Sequence, residues 1–354
     1  MVGQMEAGLQ IHNRKYLGAK YRLLDFLSGV IVEKAGRIDT FFDGFAGTGA
    51  VALHFTRHAR RVVANDILLS NAVINRAFLM SRPGSVSLTK VRGLIEEIND
   101  LPPRPGYVRE NYGGTYFTEE NAARIDAARG WIDEQRGRGA VSAQEQCVLL
   151  ASLLFAADKA ANTVGQYDAF LKNLHGGPYD EAGRHVLDTN VQKPLRLLTP
   201  DITLMEGHEV YQQDINELIG EIRADVLYLD PPYNSRQYVD CYHVLENIAR
   251  WDKPRLYGKT RKFPRERFKS RYSNRGQCEA ALRSLLYRCR SRHLFLSYNN
   301  EGILQDRAIR DLLGQLGRVE VFEKPYTVFG QGAGRSVKRP IVERLYYCRT
   351  NRRP

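Results

Sequence analysis

Across residues 20–35 the apolar side chains of Leu23, Leu24, Leu27, Val30 and Ile31 recur at intervals of three and four, which predicts an amphipathic helix. A short apolar run at residues 40–43 follows. It leads directly into a glycine-rich turn at residues 44–49 and a helical pattern from Ala50, the signature of strand, turn and helix. A second strand is expected at residues 61–65, ending at Asp66, with a helix near residues 71–80, so the chain opens as βαβα. The rhythm breaks after Arg82-Pro83-Gly84, and residues 101–114 carry Pro102, Pro103, Pro105, Gly106, Gly113 and Gly114 among few apolar neighbours. From there to about residue 203 only helical stretches are expected, notably 143–161. The α/β alternation then resumes with a helix at 215–222 and an apolar strand at 225–230 that should lie beside the first. A helix at 277–289, a strand at 293–298, a helix at 303–316 and two late strands near 318–322 and 341–348 complete the pattern. The expected architecture is an α/β fold: a mostly parallel sheet flanked by helices, with one antiparallel late strand. Residues 1–80 and 204–354 would form the catalytic domain, and residues 81–203 an inserted, mainly helical domain.

Composition narrows this picture. With 354 residues, 43% of them hydrophobic, the chain can fill a full core and exceeds one typical domain. The longest apolar runs fall well short of the roughly 20 residues a membrane helix needs, and no charged-then-apolar leader opens the chain. A cytoplasmic protein without membrane attachment is therefore expected. The five cysteines, Cys147, Cys241, Cys278, Cys289 and Cys348, show no metal-ligand spacing, so neither a zinc site nor a disulfide framework is expected. A net charge of +12 points to a polyanionic partner. A monomer is the expected state.

Two constellations carry the chemistry. In Asp43-Gly44-Phe45-Ala46-Gly47-Thr48-Gly49, the glycines allow a tight turn between strand and helix and let a ligand approach the backbone. The dinucleotide pattern GxGxxG is absent, which favours a nucleoside ligand without a pyrophosphate; Asp66, at the end of the next strand, is placed to accept from ribose hydroxyls. In Asp230-Pro231-Pro232-Tyr233, consecutive prolines stiffen the chain and remove two amide donors. A carboxylate, a bare carbonyl and an aromatic face are thereby presented together. Such a cleft suits a base amine, whose lone pair is delocalised into its ring. Accepting both amine hydrogens, with Asp230 and the Pro231 carbonyl, pushes the nitrogen towards a tetrahedral form, while Tyr233 stacks on the base.

The order of these motifs resembles that of the Dam-like adenine-N6 DNA methyltransferases of the alpha group (D12 class). In that family a lysine-containing motif comes first, here Lys15-Tyr16-Leu17-Gly18-Ala19-Lys20-Tyr21. The glycine-rich loop, a target-recognition insert and the Asp-Pro-Pro-Tyr motif follow. The resemblance covers roughly residues 1–80 and 204–350. It implies a Rossmann-like S-adenosylmethionine-dependent methyltransferase sheet with helices on both faces and a target-recognition insert, and double-stranded DNA as substrate. It also implies that Tyr16 and Lys20 help hold the methionine and adenosine parts of S-adenosylmethionine, that Asp43 holds its amino acid end, with Gly44, Phe45, Ala46, Gly47 and Gly49 of the same loop among the cofactor-binding residues, and that Asp66 takes its ribose and Asp214 approaches its adenine. Tyr16 stands where the family often has tryptophan, and Asp43-Gly44-Phe45 replaces an acidic-Pro-Phe start.

Between Asp252 and Arg275 ten basic residues face two acidic ones, with Tyr257, Phe263, Phe268 and Tyr272 interleaved. This pattern suits phosphate contact with some stacking or groove insertion. Arg236, Lys259, Arg261, Lys262, Arg265, Arg267, Lys269 and Arg271 are the candidate contacts. Arg82, Arg104, Arg109, Arg124, Arg129, Arg136 and Arg138 in the insert are candidates for guanine edges. Extruding the target base would cost a few kcal/mol. The competing readings are an N4-cytosine DNA methyltransferase, where Ser-Pro-Pro-Tyr is more usual, an RNA base methyltransferase, and an inactive nucleic acid-binding module. A separate restriction endonuclease is the partner that a modification enzyme would have.

Overall fold

A computed structural model describes residues 8–14, 16–171, 191–264, 268–326 and 341–351. The chain forms two compact units: Met1–Gly18 with Val73–Glu206 and Asp240–Arg265, and Ala19–Ala72 with Gly207–Val239 and Glu266–Pro354.

The second of these is built on a seven-stranded sheet: β1 (Ile38–Asp43), β2 (Ala59–Asn65), β3 (Glu209–Tyr211), β4 (Arg223–Leu229), β5 (Arg290–Asn299), β6 (Gly317–Tyr326) and β7 (Ile341–Thr350). The strand order is β3-β2-β1-β4-β5-β7-β6. The five strands from β3 to β5 are parallel, and β7 is antiparallel to both its neighbours. The mostly parallel sheet with an antiparallel late strand, and the adjacency of the first and 225–230 strands, therefore follow the sequence pattern. The central strands are apolar on both faces: β1 buries Phe41 and Phe42, β4 buries Val226, Leu227, Tyr228 and Leu229, and β5 buries Leu294, Phe295 and Leu296. One core gathers Phe42, Val63, Leu227, Leu229, Leu294 and Leu296 with Leu282, Leu285 and Leu286 of the helix Cys278–Arg288 and Ile309 and Leu313 of the helix Asp306–Gly314.

The first unit is helical: Leu88–Asp100, Tyr107–Tyr112, Glu119–Gly137, Ala143–Ala160 and His243–Arg250. Its helix ends are set by side chains. Ser142 Oγ accepts from the Glu145 amide at 3.1 Å while Glu145 accepts from the Ser142 amide at 2.8 Å, and Lys90 pairs with the same carboxylate at 2.8 Å. Asp126 takes the amides of Val108 and Arg109 at 2.9 and 2.8 Å, satisfying two donors at the start of Tyr107–Tyr112. The tyrosines Tyr112, Tyr116 and Tyr167 are fully buried around His243. Among the described residues no helix is long and apolar enough to cross a membrane.

Candidate active site

The sheet gathers the glycine-rich loop and the Asp-Pro-Pro-Tyr segment at the carboxyl ends of adjacent parallel strands. Asp43, the last residue of β1, lies in register with Tyr228 of β4, and the Gly44 amide donates to the Tyr228 carbonyl at 2.9 Å. Gly44 is closely packed: a Cβ there would stand 2.9 Å from Leu229 Cδ2 and 3.2 Å from Ile215 Cδ1, so a larger residue requires those side-chain ends to shift. Gly47 and Gly49 take φ of +52° and +82°, values that side chains disfavour, and Gly49 starts the helix Ala50–Phe55.

Asn65 ties three strand ends together. Its side-chain amide donates to the carbonyls of Gly44 and Gln213, both at 3.2 Å, and its oxygen accepts from the Gln213 amide at 3.1 Å. The next residue, Asp66, accepts from the Gly47 amide at 2.9 Å and the Leu68 amide at 2.8 Å, one on each carboxylate oxygen. Asp43 is 1% exposed, and its Oδ1 has no hydrogen-bond partner among the described residues. Burial, with Asp230 nearby, holds its carboxyl well above the usual carboxylate range, against the pull of the Phe45 and Ala52 amides. Asp214 caps the helix Ile215–Leu218 by accepting from the Asn216 amide at 2.8 Å, and Arg271 pairs with it at 3.2 Å. The Phe45 ring meets the edge of Tyr272 at 4.9 Å.

Lys20 is buried at 5% exposure, with its ammonium 2.9 Å from Asp230 Oδ1 and 3.4 Å from Glu343 Oε1. Ser297 donates to the same Glu343 oxygen. Burial alone would lower the lysine pKa, but the two carboxylates raise it well above its ordinary value, so Lys20 is a fixed cation. Burial pushes the Asp230 carboxyl up to about 6; Lys20 opposes the rise and Glu343 adds to it. Tyr233 packs edge-on against Tyr298 at 6.4 Å with Lys20 Nζ 5.8 Å from its ring centre, and its carbonyl accepts from the Ile303 amide at 2.8 Å. Pro231 is buried and Pro232 half-buried.

Tyr16 belongs to the other unit, where its ring stacks on Tyr242 at 4.5 Å and Arg14 lies 5.5 Å from its centre. Two residues of this neighbourhood escaped the sequence reading, Asn65 and Glu343. The signal for Glu343 was a lone acidic residue in phase with Leu345 and Tyr347, in a strand whose other charged residues are Arg344 and Arg349.

The basic stretch varies in exposure along its length. Tyr257 and Lys262 pair their backbones at 2.7 and 3.0 Å around a tight turn in which Gly258 and Arg261 take positive φ. Buried Tyr116 donates to the Thr260 carbonyl at 3.1 Å, a ring nitrogen of His243 lies 2.7 Å from the same oxygen, and Lys262 reaches Asp168 at 3.3 Å and Asp240 at 3.6 Å. Lys259 and Arg261 at the turn are exposed, as are Arg236, Lys269 and Arg271; Arg265 and Arg267 lie outside the described residues. The interleaved aromatics are not a stacking ladder. Phe263, Phe268 and Tyr272 are core residues at 5, 8 and 4% exposure, and only Tyr257, at 54%, faces solvent. Phe263→Ala should therefore cost about 3–5 kcal/mol of stability. Tyr257→Ala should leave the melting temperature unchanged and weaken only DNA binding, so thermal melts and DNA titrations on the two variants separate the roles. In the insert Arg129 is likewise internal: it donates to the Ile248 carbonyl at 2.9 Å, pairs with Asp133 and lies over Trp251, which removes it from the guanine-reading candidates. Arg109, Arg124 and Arg138 pair with Glu119, Glu120 and Glu134.

A glycine turn and acidic strand ends at the carboxyl edge of a parallel sheet define an α/β protein of the nucleoside- and nucleotide-binding class. Within that class the chain belongs to the D12 class N6 adenine-specific DNA methyltransferases, whose family model matches residues 16–311. It is 35% identical over 324 residues to the type II methyltransferase M.NlaIII of Neisseria lactamica, covering 89% of this chain and 92% of that one. It is 31% identical to the type II methyltransferase M.CviAII of Paramecium bursaria Chlorella virus 1, with 89% and 92% covered. M.FokI of Planomicrobium okeanokoites is also 31% identical over 88% of this chain, which spans only 49% of that longer protein.

Proposed function

We propose that this methyltransferase moves a methyl group from S-adenosylmethionine to N6 of an adenine rotated out of duplex DNA, and that it serves as the modification half of a restriction-modification pair. The observation that carries the reading is the pairing, on adjoining strand ends, of a buried carboxylate with an unmet oxygen at Asp43 and a carboxylate oriented by lysine at Asp230. The donor set fits the cofactor: Asp43 Oδ1 calls for a donor such as an ammonium, and the Asp66 carboxylate, directly after β2, is of the type that takes ribose hydroxyls.

When bound, the cofactor supplies an electrophilic methyl group, so that a nitrogen–carbon bond forms as the carbon–sulfur bond breaks and S-adenosylhomocysteine remains. With Lys20 on Oδ1 of Asp230, Oδ2 is the oxygen left to accept a hydrogen from the amine. The Pro231 carbonyl takes the second hydrogen, which localises the nitrogen lone pair, and the proton released after transfer leaves by way of Asp230 to solvent. Tyr233 offers a flat face for the base. Exposed Lys259, Arg261, Arg236, Lys269 and Arg271 supply phosphate contacts, which makes affinity fall steeply with salt.

The test is to express the chain in a host without DNA methylation and sequence its DNA with modified-base detection, beside labelled methyl transfer to duplex DNA in vitro. Methylated adenine confined to one short recognition sequence supports the proposal. Label on cytosine, on RNA only, or on nothing overturns it.

A further inference from the structure

Two carboxylates surround one lysine beneath the Asp-Pro-Pro-Tyr turn, and only one of them is needed to neutralise it. Glu343 lies on β7, opposite Asn299 of β5 and Lys324 of β6, and is 1% exposed. Its Oε1 takes both the Ser297 hydroxyl and the Lys20 ammonium, while its Oε2 is buried with no hydrogen-bond partner among the described residues. A carboxylate serving only as a structural counter-ion gains nothing from that burial, because an unmet charged oxygen in the interior is costly. The trio of Lys20, Asp230 and Glu343 carries a net charge of −1. The other titratable groups acting on it are Tyr228 and Tyr233, both burial-raised and neutral, Glu301 acting on Tyr233, and Asp43, whose ionised form Asp230 disfavours.

We propose that Glu343 is a positioning residue of the methyl-transfer site: through Lys20 it holds the Asp230 carboxylate in place, and by offsetting the lysine charge it keeps that carboxylate a strong acceptor. The proposal rests on the reading of Asp230 as the residue that grips the amine. As the amine nitrogen takes the methyl group, positive charge gathers beside Asp230, and a net negative trio stabilises that charge where a neutral one does not. Ser297 fixes which Glu343 oxygen faces Lys20, so the second carboxylate acts from a set position.

The experiment measures single-turnover methyl transfer by the full chain on duplex DNA carrying its recognition sequence, across pH, for the parent, Glu343→Gln, Glu343→Asp and Asp230→Ala. Glu343→Gln should slow transfer by about 10- to 100-fold. It should also move the acidic limb of the rate profile to lower pH, because Glu343 is one of the groups holding the Asp230 carboxyl up. S-adenosylmethionine binding by calorimetry should be little changed, and Glu343→Asp should recover part of the rate and restore the limb. A slower Glu343→Gln enzyme whose acidic limb stays in place, or one with the parent's rate, overturns the proposal. If Asp230→Ala transfers methyl groups as fast as the parent, the underlying reading of the site fails instead. Thermal melts guard against a folding defect; where Glu343→Gln does not fold, Ser297→Ala, which removes the hydroxyl that fixes the Glu343 oxygen facing Lys20, decides by rate, transfer slower than the parent's supporting the proposal and the parent's rate overturning it.

Discussion

Asp230→Asn is expected to lower single-turnover methyl transfer by about 10²- to 10³-fold while leaving cofactor affinity and the fold largely intact. The fold should survive because Lys20 keeps a carboxylate partner in Glu343 at 3.4 Å, so no buried cation is stranded. Cofactor affinity should survive because the acidic groups proposed to take the cofactor, Asp43 and Asp66, stand at other strand ends and keep their backbone donors. The rate should fall because an amide has one acceptor atom where the carboxylate has two. If the oxygen turns to Lys20, the amide NH₂ faces the substrate amine, donor against donor. If it turns to the amine, the lysine loses its bond. Either arrangement also removes the negative charge that would meet the cation developing on the nitrogen. Rapid-quench measurement of labelled methyl transfer, with enzyme in excess over DNA, reads the chemical step directly; a loss under threefold would remove Asp230 from the reaction.

Much of this site could be read locally. Strand β1, its glycine turn, β2 and its terminal Asp66, and β4 with the Asp-Pro-Pro-Tyr segment are each contiguous, and apolar runs buried on both faces leave a plain pattern. What escaped is long-range or low in signal. Strand β3 has three residues and makes three register pairs with β2, too few to show a periodicity. The helix expected from Ile303 begins only at Asp306; the preceding segment is tied to other parts of the chain, the Ile303 amide donating to the Tyr233 carbonyl and the Leu304 amide to the Tyr298 hydroxyl. The predicted helix at 215–222 closes at Leu218, since β4 begins at Arg223. In the basic stretch, aromatics among charges read as contact residues, whereas three of the four fill cores; irregular segments carry no period from which an inward face can be inferred. Glu343 could not be paired with Lys20 by spacing, because only the antiparallel return of β7 beside β5 brings it there.

That return of β7 makes the second large prediction. Lys20→Met leaves Asp230 and Glu343 buried together without their shared cation, and should cost about 3–5 kcal/mol near neutral pH. The sign of its pH dependence follows from the direction of the Asp230 shift. Its carboxyl already sits at about 6, above the ordinary 3.8, and Lys20 is a group pulling it down, so removing Lys20 raises it further. A carboxyl whose folded-state pKa exceeds its unfolded value destabilises the fold most where both states are ionised. As pH falls through the folded-state pKa, the folded chain takes up the proton first and the penalty shrinks, vanishing below the unfolded value. The melting-temperature gap between Lys20→Met and the parent should therefore be widest near pH 8 and narrow by roughly pH 5. The acidic limb of the variant's methyl-transfer profile should move to higher pH, opposite to the shift expected for Glu343→Gln. Adding Glu343→Gln to Lys20→Met should recover part of the lost stability, because one of the two stranded charges is gone, and the two substitutions should then fail to add. Thermal unfolding followed by circular dichroism from pH 5 to 8.5 tests this. A gap that stays constant across that range, or a double variant as unstable as the sum of the single ones, would show that Lys20 acts by packing its alkyl chain and not by holding two carboxylates together.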